Sequence, residues 1–166
     1  RPAPASTGIR GAVHPKDRLC GLDLRAIAHG GSVEVRPIHA PTMNEAPAYG
    51  ADFSRGTRVT FQDRAVLYIS GTASIDTAGR VVSHGEIEGQ VDRMLINVSA
   101  LLEGQGATWR DLVSAITYLK DPRYMEAFRR VCRRHGLSER FPNTICVADV
   151  CRPEWLCEME AIAVIA

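Results

Sequence analysis

The sequence predicts an α+β domain, a mixed β-sheet with two helices packed on one face. Three observations carry this. Apolar residues recur at helical spacing from Ile87 through Leu102. A second, shorter helical pattern follows Asp121-Pro122. Segments that alternate apolar and polar positions lie before, between and after these helices. The 166 residues suit one domain.

Residues 1–56 differ from the rest. They hold six of the nine prolines. Residues 22–28 read as a strand or a helical turn. Val33-Glu34-Val35-Arg36-Pro37-Ile38 alternates as a short strand, and its proline places it at a sheet edge. Residues 41–56 read as a loop. The expected division is an irregular segment, 1–56, which reads as the remnant of a preceding domain, and a regular domain, 57–166.

From Thr57 the elements follow quickly. Residues 58–61 and 65–70 read as two strands joined by Gln62-Asp63-Arg64, and residues 71–80 as a loop. Ser83 and Glu86 have capping-box spacing. The helix after them buries Ile87, Val91, Met94, Leu95, Val98, Leu101 and Leu102, and Gly104 and Gly106 stop it. Residues 111–119 alternate as a strand. Tyr124, Phe128, Val131 and Cys132 mark the buried face of the second helix, which Gly136 ends. Residues 144–150 and 155–165 read as the closing strands. In the last one, Cys157, Met159, Ala161, Ala163 and Ile165 form a wholly apolar face to pack on the helices. Leu156, Glu158, Glu160, Ile162 and Val164 form a mixed face, which suggests partial cover by a second sheet.

Composition narrows the function classes. Twenty basic and nineteen acidic residues give a net charge of +1, which leaves no electrostatic footprint for nucleic acid or a membrane surface. No apolar run is long enough to span a bilayer. The chain begins Arg1-Pro2, without a Met or an apolar leader, and reads as a piece of a longer cytoplasmic protein. The five cysteines, Cys20, Cys132, Cys146, Cys151 and Cys157, have no zinc spacing and read as free thiols. No cofactor and no metal are expected.

Ile69-Ser70-Gly71-Thr72-Ala73, Gln90, Asn97-Val98, Phe141-Pro142 and Glu158-Met159-Glu160-Ala161-Ile162-Ala163-Val164 resemble the RidA/YjgF superfamily over roughly residues 53–166. The resemblance implies the chorismate-mutase-like fold and a homotrimer with ligand sites between subunits. Its imine deaminases carry an arginine shortly after the Phe-Pro. Thr144 stands at the matching position and offers one weak donor instead of a charged fork.

A narrower resemblance, through Asp149-Val150-Cys151-Arg152, Leu156, Glu158, Tyr49-Gly50, Phe53-Ser54-Arg55 and the loop around Ala73, is to the second domain of chorismatases. It implies a hydrolase that releases pyruvate from chorismate or a similar enolpyruvyl carboxylate. A first RidA-like domain would be missing here. The catalytic positions so implied are Glu158 and Cys151, and the substrate-binding ones Arg55, Arg152, Thr144, Ala73 and Tyr49. Glu158 fits general-acid work on physical grounds, because a glutamate beside apolar neighbours is desolvated and holds its proton nearer neutral pH. Cys151 reads as a wall residue or a partner of Glu158, not a nucleophile. Two other readings stand beside the hydrolase: an enamine/imine deaminase, and a non-catalytic trimeric protein that binds small carboxylates. The arginines of the second helix read as a solvated face.

Overall fold

A computed structural model describes residues 3–11, 16–27, 31–138 and 140–166. Ten elements order them: β1 (Ile9–Arg10), β2 (Glu34–Pro37), β3 (Gly56–Thr60), β4 (Ala65–Ala73), α1 (Ile87–Glu103), β5 (Leu112–Leu119), α2 (Met125–Arg134), β6 (Asn143–Val147), β7 (Asp149–Val150) and β8 (Cys157–Ile165). Six strands form one sheet in the order β2-β3-β4-β8-β5-β6. All neighbours are antiparallel except β5 and β6, which α2 connects as a parallel pair. The α+β expectation, with two helices on one face of a mixed sheet, matches this architecture.

The helices lie on the face that holds the odd-numbered residues of β8. Cys157, Met159, Ala161 and Ala163 are buried there against the α1 stripe Val91, Met94, Leu95, Val98, Leu101 and Leu102. Phe128, Val131 and Cys132 of α2 complete the layer, whereas Tyr124 is only half-buried. On the other face, Ile162 and Val164 are half-buried, as are Ile116 and Tyr118 of β5. Among the described residues no helix packs on this face.

Two polar side chains of α1 join that helix to the strand ends. Asn97 Nδ2 donates to the carbonyls of Ala73 (3.1 Å) and Ile75 (3.0 Å) at the end of β4. Gln90, fully buried, donates to the Glu154 carbonyl and accepts from Leu156 N–H, both at 2.9 Å. Gln90 thus fixes the turn that feeds β8.

Several local expectations change. Residues 22–27 form neither strand nor helical turn, and Leu22 and Leu24 are 85% and 74% exposed; residue 28 lies outside the described residues. The expected 41–56 loop contains a 3-10 turn, Ala46–Tyr49, with Ala46 in the interior. The Ser83–Glu86 capping box does not form. Ser83 takes a left-handed φ of 56°, its carbonyl accepts Glu86 N–H, and the helix starts beyond this turn with no side-chain cap. The 144–150 strand breaks at Ala148 into β6 and β7, and β7 leaves the main sheet to pair with β1. The edge strand β2 and the buried Ile38, Ala40 and Met43 all precede residue 57 and pack with the rest.

Replacing Gln90 by Met keeps the volume but leaves the part-buried Leu156 N–H and Glu154 carbonyl without their partner. The expected cost is about 2–4 kcal/mol. Urea unfolding should show a lower midpoint at an unchanged slope.

Candidate active site

Glu158 sits near the start of β8, which runs between β4 and β5. Its register partners are Ala73 on β4 and Tyr118 on β5. A β-bulge makes the first pairing possible. Between Ile69 and Thr72, β4 advances three residues while β8 advances two. The extra residue moves Ala73 to the side of the sheet that Glu158 faces. It also brings Gly71 onto the carboxyl: a Cβ built there would lie 1.9 Å from Glu158 Oε1. Only glycine leaves room for the carboxyl in this position.

The carboxyl is 3% exposed, and its Oε2 has no hydrogen-bond partner. Burial, with a smaller push from the Glu160 carboxylate, raises its pKa to about 7; Arg55 pulls the other way and is outweighed. Desolvation therefore sets the proton affinity of this group. Glu160, one pleat along, accepts the Tyr118 hydroxyl at 3.3 Å. Burial first, and then Glu160, hold that phenol protonated far above the ordinary tyrosine range.

A cavity of about 290 Å³ opens beside Glu158. Arg55 is buried at its wall. Its Nε donates to the Asn44 carbonyl (2.7 Å) and its Nη2 to Asn44 Oδ1 (3.1 Å). Its guanidinium lies 5.4 Å from the Tyr49 ring centre and 5.5 Å from that of Phe53. Arg152 lies 5.0 Å from the same Tyr49 ring and 4.9 Å from Trp155, and donates to the Gly79 carbonyl at 3.1 Å. Two cations held on aromatic faces beside a buried, proton-bearing carboxyl suit a small anionic ligand that must be protonated.

Of the positions singled out in the sequence, Glu158, Cys151, Arg55, Arg152, Ala73 and Tyr49 line this cavity together. Thr144 does not. It is exposed on the edge strand β6, in the row of Ile116 and Glu160. Cys151 and Arg152 follow directly after β7. Both line the cavity because the chain leaves β7 at Val150 and bends. The Cys151 thiol donates to the Gly8 carbonyl at 2.9 Å, and burial with the nearby Glu158 raises its pKa, so it is poorly suited to act as a nucleophile. The backbone amides of Ser70 and Gly71 find their partners within the chain. Ser70 N–H donates to the Arg55 carbonyl, and Gly71 N–H is taken by Ser6 and Thr7. His84 is exposed and lies outside the cavity.

Sequence reasoning missed Asn44, Trp155 and the contribution of Ser6 and Gly8. Their only signal is spatial. A larger hollow of about 620 Å³ lies between α2 and β6, but Glu126, its one carboxylate, is exposed and paired with Arg129. Arg130 and Arg134 pair with Glu88, as befits a solvated helix face.

The family model described as Endoribonuclease L-PSP matches residues 43–165. This chain belongs to that family, the RidA/YjgF family. A RutC family protein of Saccharolobus solfataricus is 31% identical over 91 residues, which are 55% of this chain and 69% of that protein. Among solved structures, a chorismatase superposes with a TM-score of 0.69 at 25% identity, over 81% of this chain and 44% of the chorismatase. RidA from the Antarctic bacterium Psychrobacter sp. PAMC 21119 superposes with a TM-score of 0.64 at 20% identity, over 78% of this chain and 99% of RidA. The RidA/YjgF chain thus shares its fold with both compact and longer relatives. Among the described residues, no helix is long and apolar enough to cross a membrane.

The elevated proton affinity of Glu158 has a consequence for stability. Its folded-state value of about 7 lies above the ordinary 4.5, so ionisation opposes folding. The penalty is absent below about pH 4.5, grows from there to about pH 7, and is constant above. Glu158→Gln cannot ionise. It is expected to be close to wild type in stability near about pH 4.5 and more stable by up to about 3 kcal/mol near about pH 8. Thermal unfolding across this range checks the crossover.

Proposed function

We propose that this RidA/YjgF chain is the catalytic domain of a chorismatase-like hydrolase acting on chorismate or a similar enolpyruvyl carboxylate. The observation that carries the reading is the buried, unpaired Glu158 carboxyl beside Arg55 and Arg152 in one aromatic-walled cavity. Glu158 delivers its proton to the terminal carbon of the enol ether. The resulting oxocarbenium-like cation is stabilised by the carboxylate just formed, water adds to it, and the carbon–oxygen bond then breaks to give pyruvate and the ring alcohol. A carboxyl with a pKa of about 7 holds enough proton near neutral pH to act as acid and loses it readily enough to act as base. Arg55 and Arg152 hold the substrate carboxylates. Tyr49, Phe53 and Trp155 pack on the ring, and the Cys151 thiol lines the wall.

The deaminase reading is disfavoured, since Thr144 is a neutral residue on a different part of the sheet. The half-buried apolar side chains on the helix-free face support a partner there. We assign that place to RidA-like sheets, from a preceding domain or from two further copies in a trimer.

The chain spans less than half of the chorismatase it resembles, so the test uses the longest natural protein that carries it. Chorismate should yield pyruvate, detected by lactate dehydrogenase coupling. Glu158→Gln should lower that rate by at least about 100-fold. No pyruvate from the intact protein would sink the reading.

A further inference from the structure

Residues 5–10 lie outside the span that the family model matches, 43–165, yet they form a wall of the cavity. The segment is extended and touches three separate parts of the chain. Ala5 bridges Ser54 in parallel, next to Arg55. Ser6 N–H donates to Ser70 Oγ at 3.0 Å. Gly71 N–H donates to the Ser6 carbonyl at 3.2 Å and to the Thr7 hydroxyl at 2.9 Å. Cys151 donates to the Gly8 carbonyl, and Ile9 and Arg10 pair with Val150 and Asp149. Ser6 and Gly8 face the cavity. A Cβ built at Gly71 would meet Thr7 Cγ2 at 2.9 Å as well as Glu158 Oε1, so the strap and the carboxyl close on the same glycine from two sides.

We propose that residues 5–10 are a positioning strap for the site: they fix the Gly71 bulge against the Glu158 carboxyl and keep water from it on that side. The inference rests on the reading of Glu158 as the working acid, but its test does not need turnover. Glu160 on its own strand and Arg55 at the entry to β3 act on Glu158; the other titratable or charged groups around it are Tyr118 on β5, Cys157 beside it on β8, and Cys151 and Arg152 beyond β7. Of the strap residues beside it, Ser6, Thr7 and Gly8, none carries a titratable side chain. The strap therefore acts on Glu158 by excluding water and holding Gly71, not by charge. A purely structural strap would change melting temperature without moving the titration of one carboxyl.

The double variant Ser6→Pro/Ile9→Asp removes the donor to Ser70 and the apolar anchor beside Val150. Glutamate-selective carbon-13 NMR of the full chain follows Glu158. With the strap unseated, half-titration is expected at a proton concentration at least about tenfold higher than in wild type. An unchanged titration in a folded variant overturns the proposal. A second variant guards against failure to fold. A Cβ at position 8 would lie 3.4 Å from Cys151 Sγ, so Gly8→Cys is expected to form a disulfide with Cys151 under mild oxidation. In the cross-linked protein the Glu158 titration should match wild type. No disulfide, or a cross-linked protein in which Glu158 titrates as in the unseated variant, also overturns the strap. The two ideas fail separately. A titration that moves in a protein without pyruvate release removes the hydrolase reading and keeps the strap. Pyruvate release with an unmoved titration does the reverse.

Discussion

The structure depends on β8 lying between β4 and β5. Those two strands run in the same direction and flank a gap, and the β4-α1-β5 unit cannot close its sheet without an antiparallel strand to fill it. Filling the gap satisfies both inner edges, buries Cys157, Met159, Ala161 and Ala163 under α1, and fixes the register in which Glu158 faces Ala73 and Tyr118. A slip of one residue would put Glu158 into the helix-covered core and Met159 into the cavity. The same pairing that completes the hydrophobic layer therefore aims the carboxyl.

At the site, two opposed electrostatic effects are balanced by distance and burial. Removing a carboxyl from water favours its neutral form, while a nearby guanidinium favours its charged form. Arg55 is buried too, but Asn44 holds two of its donors, one on Nε and one on Nη2, and its face is directed to Tyr49 and Phe53. It contributes positive potential without capturing the carboxylate, and desolvation wins. Were Arg55 bidentate to Glu158, the pair would be locked as an ion pair and its proton lost well below neutral pH.

Much of this was legible in the residues. The period-two pattern of 155–165 and the 3.6 period of 87–102 reflect burial on one side, and burial is what the structure uses. Glu158 was legible for the same reason, as a carboxyl on a strand otherwise rich in apolar residues. The misses share a cause. Ser83 and Glu86 have the spacing of a capping box, but the turn at Gly85, with φ of 77°, uses them before the helix begins. Residues 22–27 have a pattern but lie exposed. Thr144 was placed by alignment to a motif, and β6 carries it at the sheet edge, away from Glu158. Asn44 reaches Arg55 across a loop of eleven positions, and Ser6 and Thr7 reach Ser70 and Gly71 across sixty-four, and no local pattern records such contacts.

The place of β8 in the sheet also sets an order of events in synthesis. β4, α1 and β5 leave the ribosome first, with a strand-wide slot between two unpaired edges. Until β8 emerges, the nascent chain exposes the backbone of both edges and the apolar stripe of α1, a surface that invites a β-strand from any neighbour. Closing the slot joins residues some ninety positions apart at the β4–β8 pair, a distant contact of the kind that slows folding. Because Glu158 is on the closing strand, the cavity beside it takes shape only when the slot is filled.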